Sequence, residues 1–248
     1  MRLRLKESTD EKILAEKQHR DLVSNISHDL KTPITAIKGY VEGIMDGVAD
    51  TPEKMDKYIR TLYNKANDMD RLINELTVYS GIDSNRIPYH FHRINVAEYF
   101  GDCVEEVGLD LESKNVELEY SNLVTQDTMI IADPEQMKRV INNIISNSLK
   151  YMDKPKGQID IRLLDEVDSV RIEIEDNGKG IAAKDLPLIF ERFYRTDASR
   201  NSAQGGSGIG LSIVKKIIED HGGYIWATSK EGEGTCMHFV IRKYQGQG

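Results

Sequence analysis

A chain of 248 residues has room for two ordinary domains, each with its own core, and 39% apolar with 30% charged residues excludes a disordered chain. A net charge of −8 with no basic stripe excludes a general nucleic-acid binder. Cys103 and Cys236 stand apart without a CxxC pair, which suits a reducing cytosol and predicts neither a disulfide framework nor a zinc site; with no apolar run of about 18 residues, neither a spanning helix nor a signal peptide is expected.

Residues 1–22, charged with scattered leucines, read as the tail of a helix that arrives from elsewhere. Between Val23 and Val48, the positions Val23, Ile26, Leu30, Ile37, Val41 and Ile44 form one helical stripe, which Asp46, Gly47, Asp50 and Pro52 break. From Met55 the stripe resumes through Ile59, Leu62, Ala66, Met69, Ile73 and Leu76. Residues 23–81 therefore form a helical hairpin. Such a hairpin hides only part of its seam, so two copies are expected to pair as a four-helix bundle, a homodimer. Residues 82–93, IDSNRIPYHFHR, read as a linker.

Residues 94–248 make the second domain. A helix is expected near Val96 to Ser113, then strands near Val116 to Tyr120 and Thr128 to Ala132. Asp133 and Pro134 open the next helix, with Gln136 in capping-box position. Strands follow near Ile159 to Leu164 and Val170 to Glu175, a helix from Gly208 to His221, and strands near Tyr224 to Thr228 and Thr235 to Ile241. Helices and strands in this order imply a mixed α/β layer structure.

Four motifs carry chemistry. In SNISHDLKTPITAIKGY, His28 falls off the apolar stripe, toward solvent. An ordinary imidazole has a pKa near 6.5 and is mostly a neutral nucleophile at pH 7. Asp29 can hold the tautomer and take the ring proton, general-base help typically contributing about 10²- to 10⁴-fold in rate. Pro33 removes a helical donor beside them, and Thr32 shares the face of His28. In INNIISNSLKY, Asn143 and Asn147 lie four apart on one helix face, with Lys150 three beyond; a neutral amide oxygen can join phosphates around a hard cation. DNGKGI follows a strand, so Asp176 can accept from an exocyclic amine while Gly178 and Gly180 let backbone approach a flat base. GGSGIGLS opens a helix whose N–H groups can hold phosphate, without the ending of a P-loop or the setting of a dinucleotide-binding strand. Taken singly, these are also a surface histidine, a helix kink, polar-face asparagines, a hairpin turn and a helix cap. His221 reads as a basic residue at a helix end, His19 and His238 as structural or solvated, and Trp226 as a core strand residue. His90 and His92 alternate in the linker, and two ligands do not make a zinc site.

In this order, the motifs make the chain from about Glu16 to Tyr244 resemble the catalytic core of a bacterial sensor histidine kinase. The resemblance implies a multi-domain chain: a signalling helix over 1–22, a dimerisation and phosphotransfer hairpin over 23–81, a linker over 82–93, and over 94–248 an α/β sandwich ATP-binding domain of the histidine kinase, gyrase and Hsp90 type. It implies Mg²⁺ and ATP as cofactors, autophosphorylation of His28 with help from Asp29, and transfer to an aspartate of a response-regulator receiver domain. It makes Thr32 the residue that positions water for phosphatase action on that partner. Asn147 becomes the metal ligand, with Asn143, Lys150 and Tyr151 lining the nucleotide pocket. Asp176 selects adenine, next to Gly178, Gly180 and Ile181. Phe190 and Phe193 anchor a lid from which Arg195 reaches the terminal phosphate. Gly206, Ser207, Gly208, Gly210, Leu211 and Thr235 complete the ATP site. Asp29 and Lys31, where the family commonly has glutamate and arginine, keep charge type. With no sensor or membrane segment visible, the chain reads as cytoplasmic, the cytosolic portion of a membrane-bound receptor. An ATP-gated clamp shares the nucleotide fold, but leaves His28, Asp29 and Pro33 without a role.

Overall fold

The computed structural model describes residue 27 and residues 30–83, 88–192, 194–195 and 208–246. They fall into two compact units divided between Ser80 and Gly81.

The first unit is helical. Helix α1 covers residues 30–45 and runs without a break past the buried Pro33; α2 is Pro52–Asp83. A left-handed glycine ends α1: Gly47 has φ +72°, Val48 N donates to Gly43 O at 2.9 Å and Gly47 N to Ile44 O at 3.2 Å, the two bonds of a Schellman stop. Thr51 accepts from Lys54 N at 3.2 Å and Pro52 fills the first turn of α2, where its missing donor is harmless. The helices approach closely at Gly43, where an added Cβ would lie 2.9 Å from the Tyr58 ring, and Tyr40 meets Tyr58 edge to face at 5.0 Å. Along the predicted stripe, Val41, Ile59 and Ile73 remain exposed in the single chain, Ile59 at 54%.

The second unit is an α/β layer. Strands β2 (Val116–Asn122), β4 (Gly157–Asp165), β5 (Ser169–Asp176), β6 (Tyr224–Lys230) and β7 (Gly234–Arg242) form one sheet in the order β2-β4-β5-β7-β6. Only β2 and β4 pair in parallel. Helices α3 (Val96–Glu112), α4 (Pro134–Lys150) and α5 (Gly210–Asp220) pack on it. Period-two alternation divides the two faces. Register sets Ile161 beside Ile174 and Met237, and Leu163 beside Ile172 and Phe239, all buried. Each such side chain contributes about 1.5–3 kcal/mol on leaving water. The other face carries Arg162, Glu173, His238 and Trp226 in a row across four strands. Trp226 is therefore not a core residue: it is partly exposed and stacks on His238 at 5.0 Å.

One strand departs from expectation. β1 (His92–Asn95) takes the last two residues of the expected linker and pairs antiparallel with β3 (Met129–Ala132). The segment before it is fastened too. Tyr89 donates its hydroxyl proton to Asp220 at 2.7 Å, and His90 N donates to Asp133 at 2.7 Å.

His221 organises this corner, beyond the helix-end role read from sequence. Its Nδ1 donates to Ile217 O at 2.7 Å, so Nε2 is left to accept the Asp133 N–H at 3.0 Å. Asp133 caps α4 by accepting from Glu135 N and Gln136 N, but the reciprocal half of the expected capping box is absent because His221 occupies the Asp133 N–H, and Gln136 Oε1 is buried without a partner among the described residues. Burial lowers the His221 pKa, against Ile217 O and the charges of Asp133 and Asp220, and Tyr89 and Phe91 cover the ring. A histidine depressed in the fold binds protons more readily when unfolded, so its contribution is complete above the unfolded value near 6.5 and is lost as pH falls from there through the folded pKa. The Tm of this unit should drop on acidification from pH 7.5 to 5.5. His221→Gln should shrink that drop while costing about 1–3 kcal/mol at pH 7.5, read by calorimetry; an unchanged pH slope in the variant would contradict this role.

Candidate functional site

The site of the second unit is built where the last turns of α4, the loop after β5, the start of β7 and the start of α5 converge. Along α4, Ile141, Ile144, Ile145 and Ser148 fall on the buried face, so a small hydroxyl replaces an apolar residue where the helix passes the end of β5. Ser148 Oγ donates to Asp176 Oδ2 at 2.9 Å, and Gly178 N donates to Asp176 Oδ1 at 2.9 Å. A backbone hydrogen bond from Thr235, the cross-strand partner of Asp176, also reaches the carboxylate. Burial nevertheless raises the Asp176 pKa, outweighing those donors. An acceptor is thus held in place by neutral donors, the Ser148 hydroxyl and the Gly178 and Thr235 backbone.

The loop beyond is pinned on two sides. Lys179 N donates to Tyr151 O at 3.1 Å, Gly232 N to Lys179 O at 2.6 Å and Ile181 N to Ser229 Oγ at 2.8 Å. Asn177 joins in by donating through Nδ2 to Lys156 O and accepting from Gln158 N at 2.9 Å. The spacing leaves no room for side chains: a Cβ at Gly178 would lie 2.8 Å from Tyr151 O, and one at Gly180, where φ is +70°, 2.1 Å from Lys230 O. The hairpin turn that NG alone suggests does not form, since β5 pairs with β7 and the loop crosses to α4 and the β6–β7 turn.

Asn143 faces the start of α5. A Cβ on Gly210 would lie 3.6 Å from Asn143 Oδ1, and Asn143 Nδ2 is buried without a hydrogen-bond partner among the described residues. Gly208 has φ +70°, so α5 starts at Gly210, two residues later than expected, and its N-cap is Ile209, whose side chain caps nothing. The first N–H groups of a helix have no partner inside it, so this end can meet an anion. Asn147 is half-buried one turn beyond Asn143, and Lys150 Nζ lies 5.1 Å from the centre of the Tyr151 ring.

Of the predicted ATP-site residues, the fold gathers Asn143, Asn147, Lys150, Tyr151, Asp176, Gly178, Gly180, Ile181, Gly208, Gly210, Leu211 and Thr235 onto these four elements. Arg195 lies half-buried on the segment after the short 3₁₀ turn Leu186–Leu188, beyond Tyr194, whose hydroxyl donates to Asp185 at 2.7 Å. In the first unit, Thr32 is exposed on α1. His28, Asp29, Phe193, Gly206 and Ser207 lie outside the described residues. Sequence reading missed Ser148 and Ser229. The first was legible as a polar residue in the apolar stripe of α4; the second had no local signal.

Two family models match this chain. Residues 18–85 match the His Kinase A phospho-acceptor domain, which includes His28, and residues 132–245 match the histidine kinase-, DNA gyrase B- and HSP90-like ATPase. The sensor histidine kinase WalK of Bacillus subtilis (strain 168) is 33% identical over 229 residues, 91% of this chain and 37% of that protein. The chain belongs to the sensor histidine kinases of bacterial two-component systems. This kinase chain spans 37% of the length of that curated relative and of the WalK of Staphylococcus aureus (strain MRSA252), 30% identical. Among solved structures, the histidine kinase ThkA in complex with the response regulator TrrA is 25% identical, with a TM-score of 0.69 over 92% of this chain and 63% of that one. The catalytic domain of ThkA alone is 28% identical, with a TM-score of 0.53 over 62% of this chain and 96% of that one. The hairpin followed by an α/β ATPase sheet is the architecture expected from sequence. No helix among the described residues is long and apolar enough to cross a membrane.

Proposed function

We propose that this chain transfers the γ-phosphoryl group of ATP to a ring nitrogen of His28 and passes it on to an aspartate of a response-regulator receiver domain. The observation that carries the reading is the cradle in the second unit: a half-buried, neutrally supported Asp176, backbone too close for any Cβ, and the Asn143 amide, without a hydrogen-bond partner among the described residues, facing the start of α5. Asp176 accepts from the adenine amine. Asn143 and the α5 backbone donate to phosphate, and Lys150 adds charge beside them. These residues also fit magnesium. Asn147 offers a neutral amide oxygen next to the phosphate position, and bound Mg²⁺ neutralises charge on the phosphates.

In the transfer, the nitrogen lone pair of His28 attacks the γ-phosphorus, the bond to the β-γ bridging oxygen breaks and ADP leaves with its electrons. Asp29 accepts the ring proton. What the cradle supplies is position, fixing the γ-phosphate while backbone donors meet its charge. The exposed stripe of α1 and α2 is covered in a homodimer, in which four helices bury what one hairpin leaves open. The response regulator as partner rests on the ThkA–TrrA likeness. The cytosolic part of a membrane receptor is the setting proposed for the chain.

Thr32, exposed on α1, is assigned to positioning the water that removes phosphate from the regulator. Thr32→Ala should keep self-labelling from γ-labelled ATP and slow loss of label from the regulator by about tenfold or more. Unchanged removal would take that role from Thr32.

A further inference from the structure

The face of the sheet turned away from α4 carries a second cluster that the phosphoryl chemistry leaves unused. Cys236 and His238 alternate on β7 and so share a face, and Glu173 sits opposite His238 on β5. His238 Nδ1 lies 3.1 Å from Glu173 Oε1 and 3.8 Å from Cys236 Sγ, and all three atoms fall within 4.8 Å of one another. In a tetrahedral zinc site, bond lengths of about 2.0–2.3 Å set neighbouring ligand atoms roughly 3.3–3.6 Å apart. The two separations from His238 Nδ1, 3.1 Å and 3.8 Å, are therefore within a few tenths of an ångström of that spacing. Two of them, His238 and Glu173, are also aimed by neighbours. Thr228 Oγ1 meets His238 Nε2 at 2.8 Å, and Trp226 stacks on the imidazole at an interplanar angle of 9°. Arg162 holds the other carboxylate oxygen, Glu173 Oε2, at 3.0 Å, and also pairs with Glu175. Two cations stand near the ligand atoms: Arg171 Nε 3.5 Å from Oε1 and Arg162 Nη2 3.9 Å from Cys236 Sγ.

We propose that Glu173, Cys236 and His238 form a binding site for a thiophilic divalent cation, zinc above all, on the sheet face opposite the nucleotide pocket, with a fourth position filled by water. Two facts favour a metal over a purely hydrogen-bonded cluster. The thiol is 7% exposed and, among the described residues, its hydrogen-bond contacts are those of 3.8 Å and 3.9 Å, to His238 and Arg162, so it gains little where it stands. Thiolate and carboxylate together balance a divalent charge, and Arg162 keeps both its acid partners. On binding, the S–H bond is replaced by a metal–sulfur bond and the proton goes to solvent. His238 binds through Nδ1, losing that proton and gaining one at Nε2, which then donates to Thr228 Oγ1. At pH 8, the net release is one proton per metal. The lone thiol of sequence reading becomes a ligand because its partners lie on a neighbouring strand and two residues along its own.

Cobalt(II) titrated into the full chain at pH 8, with a non-thiol reductant and without ATP or magnesium, tests this. The expected result is a thiolate-to-cobalt charge-transfer band saturating at one equivalent, bleached by zinc, with quenching of Trp226, the chain's single tryptophan. Cys236→Ser should abolish the band, and His238→Gln should weaken binding at least about tenfold, while Cys103→Ser keeps it. No band at one equivalent, or a band that persists in Cys236→Ser, would overturn the site. If Cys236→Ser does not fold, X-ray absorption at the metal edge of the wild-type zinc protein decides: one sulfur in the shell supports the site, and a shell of nitrogen and oxygen alone overturns it.

Discussion

Asp176→Asn is expected to weaken nucleotide binding by about 10- to 100-fold while leaving the fold as stable as before. The adenine amine would lose a charged acceptor, and hydrogen bonds to charged groups contribute roughly 1.5–3 kcal/mol. Stability should behave differently. The raised Asp176 pKa means that the folded unit binds this proton more tightly than the unfolded chain, so ionisation opposes folding: stability falls as pH rises from the unfolded value through the folded pKa, and the loss is complete above both. A neutral isostere removes that loss, and its oxygen can still accept from Gly178 N. Calorimetric titration with an ATP analogue, paired with thermal unfolding at pH 7.5, checks both halves. Equal affinity in the variant would remove Asp176 from adenine recognition; a large fall in Tm would make it a structural residue instead.

Gly180→Ala should be the most damaging single-methyl change in the second unit's loop. A left-handed φ alone costs a non-glycine residue about 1–2 kcal/mol, and here the methyl would also sit 2.1 Å from Lys230 O and 2.7 Å from its carbonyl carbon. Neither side can yield freely. Lys179 is tied to Tyr151 O and Gly232 N, and Ile181 to Ser229. The Tm of this unit should fall by about 4–8 °C or more, at roughly 2–4 °C per kcal/mol for a domain of this size. Nucleotide affinity should fall with it, because Asp176 and Gly178 are carried by the same loop. An unchanged Tm would mean that the β6–β7 turn moves aside without loss.

Much of this was legible in the sequence because the signals are local. The Asp133 and Pro134 start of α4, the alternation of β4 and β5, and the stop at Gly47 each arise from neighbours within a few residues. The pocket residues were found as motifs, yet what supports them was not. Ser148 reaches Asp176 across 28 positions, and His221 reaches the Asp133 N–H across 88. Strand β1 was hidden for another reason. HRIN has no alternation of its own and is held by pairing with β3, so its register is decided outside its sequence. His238 read as structural or solvated and Trp226 as a core strand residue until the order β5-β7-β6 set both in one row with Glu173.

Phosphoryl transfer from the Asp176 cradle to His28 is the step on which the proposed function stands. It is tested most directly by incubating the chain with γ-labelled ATP and magnesium, then locating the label. One labelled site is expected, His28, stable in base, lost in acid and absent in His28→Gln. Label that persists in that variant, or free phosphate released with no labelled protein, would contradict it.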